Sequence, residues 1–307
     1  MADTSASPAL DPIAAEVDRD RQRIDTCLAE ICEHDLASLD ARAPVVAAAI
    51  RYSLLGGGKR FRGALLLAAY RAAGGRDDAT TLAAAVEIVH TYSLVHDDLP
   101  CMDDDDMRRG RPTVHKAYGV RAATVAGVAM VPLAVSVAVQ AARELRVREP
   151  GQIVSELMSA SGAGGMIGGQ LLDLEGEGKP HTLAQLEQVH RGKTGALVRA
   201  AALLGGVAAG ADERAADALA TYGSALGLAF QIADDVLDVT GTTQVLGKTA
   251  GRDAVLGKST YPALLGVDGA TARAHALVTE GCTALDGVGL LTPALARMAN
   301  FVVRRTS

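Results

Sequence analysis

The chain has 307 residues, 49% of them hydrophobic, and a formal net charge of −6 with a pI near 5.7. Because its few basic clusters are matched by nearby acids, we do not expect nucleic acid as a partner. The four cysteines lack CxxC spacing, and the first residues have neither the basic region nor the apolar core of a signal peptide, so we expect reduced thiols and a cytoplasmic protein.

Helices account for nearly all of the predicted structure. Aromatic residues make up only 3% of the chain, so small side chains must fill the core, and these favour helix-on-helix packing. No alternating pattern indicates strands, and no linker divides the chain, so we expect one domain over 1–307 with residues 1–12 disordered. The predicted helices are 13–39, 45–55, 61–73, 78–98, 122–142, 152–161, 168–174, 182–190, 195–209, 212–239, 261–266, 270–285 and 293–304.

One of these helices has a second interpretation. Residues 122–142, between Arg121 and Arg143, carry no charge and are long enough to span a bilayer. The segment is mostly Ala and Val, and the chain has no second segment like it. We therefore expect a helix at the centre of a soluble bundle, covered on every side.

Six aspartates lie within residues 97–106, immediately before Arg108 and Arg109. Like charges at this density repel one another unless a cation lies among them. Carboxylate oxygens suit Mg²⁺, which shares its other positions with water and phosphate, and arginine matches phosphate geometry. A solvated acidic loop is the alternative. The apolar helix that leads into the cluster favours an interior site.

A second acidic cluster, Asp234, Asp235 and Asp238, closes a long apolar helix. These spacings place the carboxylates on one helix face. Acids at a helix C-terminus meet the negative end of the macrodipole, and the same is true of Asp97 and Asp98. A cavity that holds several Mg²⁺ between the two clusters explains both placements.

Other catalytic motifs do not fit. Gly-Lys-Ser/Thr tripeptides occur at Gly192, Gly247 and Gly257, but their spacing to upstream glycines differs from that of a P-loop. The chain has no GxSxG, HExxH or useful Cys/His pair, so it offers metal and cations without an evident nucleophile.

Several segments carry a resemblance to a known family, namely 57–62 (GGKRFR), 90–110, 168–174 (GGQLLDL), 193–197 (KTGAL), 230–238 (FQIADDVLD) and 256–266. With them the chain resembles the short-chain trans-isoprenyl diphosphate synthases, most closely the bacterial farnesyl diphosphate synthases. The resemblance implies an antiparallel all-α helix bundle around a deep central cavity, usually a homodimer. It also implies Mg²⁺-dependent condensation of isopentenyl diphosphate with dimethylallyl or geranyl diphosphate to give farnesyl diphosphate. The alternatives are a geranyl or geranylgeranyl diphosphate synthase, or a catalytically weak partner subunit.

The resemblance assigns roles by position, and we expect three Mg²⁺ per site. The metal ligands would be Asp97, Asp103 and Asp234, with Asp98, Asp235 and Asp238 as supporting acids. The isopentenyl diphosphate site would be Lys59, Arg62, His90 and Arg109. The allylic diphosphate and its metals would contact Arg108, Lys193, Thr194, Gln231, Lys248 and Lys258, of which Lys193 and Lys248 join the metal ligands as catalytic residues. For His90 alone, an ordinary core histidine is the alternative.

The chain departs from the family pattern at two positions. Gly63 replaces a usual proline, which we expect to loosen a helix start. Val128 replaces a common aspartate in the segment expected to be buried, which puts full activity in some doubt.

Product length is predicted from Tyr92 and its neighbour Ser93. On a helix Tyr92 lies about 7.5 Å before Asp97, and each five-carbon unit of an allylic tail spans about one turn. Tyr92 is large enough to form the floor of the cavity, whereas Ser93 is too small. This favours a C15 product, with Tyr92 as an ordinary core residue as the alternative.

Overall fold

The structure, a computed structural model, describes residues 12–240 and 259–304. In these residues it is built almost entirely of helices, which confirms the predicted all-α class. The helices are α1 (Pro12–His34), α2 (Ala37–Arg42), α3 (Pro44–Leu54), α4 (Phe61–Ala72), α5 (Thr80–Asp97), α6 (Val114–Tyr118), α7 (Val120–Glu144), α8 (Pro150–Ser161), α9 (Met166–Glu175), α10 (Leu183–His190), α11 (Ala196–Ala208), α12 (Glu213–Thr240), α13 (Tyr261–Asp286) and α14 (Pro293–Arg304). One π-helical turn, Arg191–Gly195, joins α10 to α11. Of residues 1–12, which were predicted to be disordered, Pro12 begins α1, and the others lie outside the described residues, as do Lys248 and Lys258 with their predicted roles.

A small hairpin departs from the prediction that the chain has no strands. β1 (Met107–Arg108) and β2 (Arg111–Pro112) pair antiparallel. Arg109 and Gly110 both have positive φ, at 53° and 75°, as a two-residue hairpin turn requires. Each strand has only two residues, so no alternation could reveal it.

The two helices that end in acids lie in different parts of the bundle. α5 packs mainly on α7 and α4, whereas α12 packs mainly on α13 and α11. α4 and α11 pack on each other between them. A Cβ at Gly205 of α11 would lie 2.4 Å from the Leu66 carbonyl oxygen, so glycine permits this close approach. The α4–α11 pair therefore separates the two acid-bearing helices.

The prediction that α7 is covered on every side is wrong. Its inner face packs on α5, and a Cβ at Gly127 would lie 2.0 Å from His96 Nε2. Its outer face is open, because Val125 is 50% exposed and Val128 is 60% exposed. Among the described residues α7 is the one helix long and apolar enough to cross a membrane. An amphipathic burial pattern escaped detection because alanine and valine occupy both faces.

Candidate active site

The first acidic cluster is shaped by the loop that follows α5. The Asp103 N–H donates to the Asp97 carbonyl oxygen at 2.8 Å, and the Asp104 N–H donates to the Leu99 carbonyl oxygen at 3.2 Å. The loop thus folds back over the helix end. Burial raises the pKa of the Asp97 carboxyl to about 7, Asp103 adds to the rise, and Lys193 opposes it. The structure therefore brings Asp97, Asp103 and Lys193 into one electrostatic neighbourhood.

Asp98 forms an ion pair with an arginine. Its carboxylate accepts hydrogen bonds from Arg108 Nε at 2.7 and 3.0 Å, and Arg108 Nη2 lies 2.6 Å from Asp98 Oδ1. Asp98 is buried, and Arg108 also reaches Asp105 at 3.5 Å. Asp98 therefore orients Arg108, which suits its predicted supporting role.

The second acidic cluster divides its carboxylates in the same way. Asp235 is buried and accepts hydrogen bonds from the Tyr261 N–H at 3.0 Å and from Gln231 at 3.4 Å. It thereby ties α12 to the start of α13. Asp234 is only half-buried and acts electrostatically on Arg62 of α4. Among the described residues, the buried Oδ1 of Asp238 has no hydrogen-bond partner.

The π-helical turn Arg191–Gly195 links the two clusters. Lys193 Nζ donates to Asp173 Oδ2 at 2.6 Å and also lowers the pKa of Asp97 against the effect of burial. The next residue, Thr194, donates to Gln231 Oε1 at 3.0 Å, and Gln231 reaches Asp235. Helical turns of this type occur often at functional sites. Lys193 thus acts electrostatically on the first cluster, and Thr194 contacts the second cluster through Gln231.

A cationic set surrounds His90 on α5. Burial lowers the pKa of His90 well below its usual range, and Arg62, Arg109, Arg108 and Arg60 lower it further. A neutral imidazole among guanidinium groups offers one N–H donor to an anion without adding another cation. Arg109 also donates to the Gly57 carbonyl oxygen. The predicted residues Arg62, His90 and Arg109 therefore lie in one cationic environment.

Lys59 lies at the edge of this set. It is exposed, and its Nζ lies 5.8 Å from the centroid of the Phe301 ring of α14. That distance is within the range of a cation–π contact. The aromatic ring gives the flexible ammonium group a resting position beside the arginines.

Sequence reasoning missed Glu87, a buried carboxylate at the centre of the cationic set. Glu87 Oε1 accepts a hydrogen bond from the Gly63 N–H at 2.9 Å, and Oε2 lies 3.9 Å from Arg60 Nη1. Proline at position 63 could not donate this bond. The bond ties the first turn of α4 to α5, and so it opposes the loosening expected from Gly63. Glu87 is the only Asp, Glu, Lys or Arg in residues 80–95, a signal that could have identified it.

Two residues of α9 were not predicted, although they lie in segment 168–174, which carries part of the family resemblance. Asp173 holds Lys193, as described above. Gln170 is buried, and neither atom of its side-chain amide has a hydrogen-bond partner among the described residues. A Cβ at Gly169 would lie 2.0 Å from the Lys193 nitrogen, so glycine permits α9 to press against the π-helical turn.

Tyr92 is a buried neighbour of Asp97 in the first cluster. It is 4% exposed, its hydroxyl donates to the Ser161 carbonyl oxygen at 3.4 Å, and its ring meets His96 edge-on at 5.9 Å. Burial raises the pKa of Tyr92 to about 12, and Asp97 adds to the rise. Ser93 donates to the His90 carbonyl oxygen of its own helix at 2.8 Å. Tyr92 is thus the bulky residue between Asp97 and the end of α8.

Comparison with known proteins identifies the family. Residues 43–283 match the polyprenyl synthetase family. The chain is 46% identical over 276 residues to a farnesyl diphosphate synthase of Escherichia coli K12, covering 88% of this chain and 92% of that one. It is 45% identical over 255 residues to the chloroplastic geranylgeranyl pyrophosphate synthase 9 of Arabidopsis thaliana, covering 80% and 71%.

A solved structure agrees in fold. The geranyltransferase of Helicobacter pylori, complexed with magnesium and isoprenyl diphosphate, superposes with a TM-score of 0.79 at 33% identity and covers 98% of each chain. The chain therefore belongs to the polyprenyl synthetase family and is a prenyltransferase.

Proposed function

We propose that this chain adds isopentenyl diphosphate to dimethylallyl diphosphate to give geranyl diphosphate, and to geranyl diphosphate to give farnesyl diphosphate, releasing one diphosphate and one proton in each addition. The observation that carries the proposal is the pairing of two acidic clusters, joined through Lys193 and Thr194, with a separate cationic set around His90. The metal-ligand side suits an allylic diphosphate that must ionise. The arginine side suits a diphosphate that is only held.

The donors fit Mg²⁺, which prefers carboxylate oxygens and retains water. We assign Asp97 and Asp103 to the ions beside α5 and Asp234 to the ion beside α12, three ions in all. The unpartnered Oδ1 of the buried Asp238 supports a cation on the α12 side. When bound, Mg²⁺ supplies electrostatic stabilisation of the leaving diphosphate.

The residues of the chain then divide the work. Lys193 and Arg108 stabilise the growing negative charge on the departing diphosphate more strongly in the transition state than in the ground state. Arg62, Arg109 and neutral His90 hold the isopentenyl diphosphate so that its double bond can attack the allylic carbon. The cation that results loses a proton, which the departing diphosphate accepts. Apolar walls keep water from the carbocation.

Separate sites for the two diphosphates can be tested by kinetics. Lys59→Ala or Arg109→Ala should raise KM for isopentenyl diphosphate far more than KM for geranyl diphosphate. The reason is that Lys59 and Arg109 would hold the isopentenyl diphosphate directly, whereas Asp97, Asp103 and Asp234 would hold the Mg²⁺ that serves the allylic diphosphate. An equal rise in the two constants would show that this division is wrong.

Product length is proposed from Tyr92, because sequence identity alone does not decide it. The relatives that are 46% and 45% identical carry the names of a farnesyl and a geranylgeranyl synthase. A buried Tyr92 next to the first cluster supports an early stop and a C15 product.

We also propose a homodimer in the cytoplasm. The exposed valines on the outer face of α7, Val125 and Val128, form an apolar surface that a second copy could cover. Light scattering should give twice the chain mass, and Val128→Glu should give a monomer. All four cysteines are free thiols, as expected in a reducing compartment.

The reaction itself is tested with purified protein, Mg²⁺ and the two substrates. Chromatography of the dephosphorylated products should show farnesol as the main product. Geranylgeraniol as the main product would change the assigned length but not the reaction. No product at all, from protein with its helical circular dichroism intact, would favour the role of a partner subunit.

A further inference from the structure

A second group of metal-donor atoms lies beside the first acidic cluster but outside the residues assigned to the reaction. One ligand atom from each of Asp104, Asp106 and His115 lies within 4.8 Å of the others. Asp104 and Asp106 are exposed, whereas His115 is 5% exposed. The group thus combines one buried nitrogen donor with two exposed carboxylates.

His115 provides an observation independent of the acids. Its buried Nε2 has no hydrogen-bond partner among the described residues. The nearest carboxylate oxygen, Asp104 Oδ1, lies 4.0 Å away, which is too far for a hydrogen bond. A buried polar atom without a partner is costly. His115 Nε2, which faces Asp104 Oδ1, therefore has no partner in the described residues, and a bound cation would give it one.

The opposite edge of the ring is held in place. Thr113 Oγ1 lies 3.1 Å from His115 Nδ1 and can accept a hydrogen bond from the Nδ1–H group. That arrangement leaves Nε2 as the lone-pair donor, as in metal-binding histidines whose other nitrogen is hydrogen-bonded. Thr113 thus acts as an orienting partner.

The backbone fixes the two carboxylates near this ring. Asp104 has positive φ, at 47°, and its N–H donates to the Leu99 carbonyl oxygen. The Asp106 carbonyl oxygen accepts from the Thr113 N–H at 2.9 Å, which joins the loop to the start of α6. Only side-chain rotations are then needed to close the group. Ligand atoms around one tetrahedral Zn²⁺ lie ~3.4 Å apart, so the contraction is small.

We propose that Asp104, Asp106 and His115 form a site for a divalent transition-metal ion such as Zn²⁺, separate from the Mg²⁺ ligands Asp97, Asp103 and Asp234. An imidazole nitrogen with two carboxylates suits Zn²⁺, whereas Mg²⁺ prefers oxygen alone. Solvent would complete the coordination, because both aspartates are exposed.

Lys116 is the competitor for this ion. Its Nζ lies 2.8 Å from Asp106 Oδ1, and both side chains are largely exposed. An exposed ion pair of this kind contributes little to stability, so a metal ion can displace it. The lysine nevertheless adds positive charge beside the site and should weaken metal binding.

The test is equilibrium dialysis of the full chain against Zn²⁺ in millimolar Mg²⁺, followed by metal analysis of the protein. Excess Mg²⁺ occupies the oxygen-only positions, so the assay does not depend on the catalytic reaction. We expect one Zn²⁺ per chain. Loss of an orienting partner alone costs ~10–100-fold in affinity, so His115→Ala and Asp104→Asn should each weaken binding at least ~10-fold.

Three further variants make the result specific. His275→Ala removes an exposed imidazole elsewhere and should leave Zn²⁺ affinity unchanged. Cys101→Ser, which removes the exposed thiol of the same loop, should also leave it unchanged. Lys116→Met should tighten Zn²⁺ binding, because the competing ammonium group is gone.

Some outcomes would overturn the proposal. No Zn²⁺ retained by the wild-type chain would do so. So would Zn²⁺ binding that survives both His115→Ala and Asp104→Asn, or that disappears in Cys101→Ser. Asp104 is exposed, so its substitution tests the site even if removal of the buried His115 impairs folding.

Discussion

The end of α5 and the end of α12 each carry two consecutive aspartates, and in both places the two side chains do different things. The second aspartate is buried and holds the scaffold: Asp98 is 2% exposed and binds Arg108, and Asp235 is 4% exposed and binds the start of α13. The first aspartate, Asp97 or Asp234, is half-buried. Consecutive helical residues point about 100° apart, so one can face the site while its neighbour faces the packed interior.

Catalysis and stability should therefore depend on different members of each aspartate pair. The first aspartate of each pair, Asp97 or Asp234, is the leading aspartate and carries the proposed metal chemistry. The second, Asp98 or Asp235, is the trailing aspartate and holds a cation or a backbone donor in place. The same residue type in adjacent positions should therefore give opposite phenotypes when it is removed.

The largest effect is expected from the leading aspartates. Asp97→Ala and Asp234→Ala should each lower kcat by several orders of magnitude, because loss of a single electrostatic contact already costs about 10²-fold or more. Circular dichroism should remain helical in both variants. Asp217→Ala, an exposed acid on the same helix as Asp234, is the control and should retain normal turnover. Near-normal rates in EDTA or in either variant would contradict the metal-dependent mechanism.

The residue five positions before the leading aspartate differs between the two helices. It is Tyr92 on α5 but Ala229 on α12, so only α5 has a bulky residue there. Tyr92→Ala should deepen the pocket and shift the main product from C15 to C20 or longer, with Mg²⁺ dependence unchanged. Ser93→Ala is the matched control, and its product should stay at C15. An active Tyr92→Ala variant with an unchanged C15 profile would place the floor elsewhere.

Stability should respond at the trailing aspartate instead. Asp98→Ala leaves Arg108 without its main partner, and hydrogen bonds to charged groups contribute ~1.5–3 kcal/mol. We expect the free energy of unfolding in urea to fall by about 2 kcal/mol without Mg²⁺. Burial raises the pKa of both carboxyls, so the difference rests on Arg108: Asp97→Asn removes no hydrogen bond to that guanidinium and should not lower the free energy of unfolding. Equal losses in the two variants would remove the distinction between the two positions.

The smallest effect concerns His190, which directly precedes the turn that links the two regions. Burial lowers the pKa of His190 to about 4. The unfolded chain then binds more protons below the ordinary histidine pKa, so this histidine makes stability fall as pH drops from about 6.5 towards 4. Between pH 7 and pH 5 the loss should be about 1–2 kcal/mol.

His190→Gln should reduce that acid-dependent loss in urea denaturation measured across this pH range. His275→Gln, at an exposed position, is the control and should leave the pH profile as it is. A profile that His190→Gln does not alter would show that the linking turn is not acid-sensitive through this residue.

The sequence predicted the helical class and both acidic clusters well, because periodicity and motif spacing are local properties. The structure brings Arg62, His90 and Arg109 close enough to act electrostatically on one another, whereas their common role in holding isopentenyl diphosphate stays a prediction. The Arg109 turn escaped prediction, since strands of two residues leave no pattern. The open face of α7 escaped as well, because burial depends on which neighbours are present.

Glu87 shows a different limit. Its partners, Gly63 and Arg60, lie more than twenty positions away in the sequence, so only the packing of α4 on α5 reveals them. The separate tasks of Asp97 and Asp98 also depend on where Arg108 returns after its hairpin. Composition and spacing do not contain that information.

Because of the hydrogen bond between Gly63 and Glu87, the effect of a substitution at one of these positions depends on the residue at the other. A proline introduced at position 63 would remove the donor, and its Cβ would lie 2.8 Å from Ile24 Cδ1 and 3.2 Å from Glu87 Cγ. It would also leave a buried carboxylate with one contact fewer. Replacing Gly63 with proline should therefore cost more stability in the wild-type chain than in a chain whose Glu87 has already been replaced, so the effect of either substitution depends on the other.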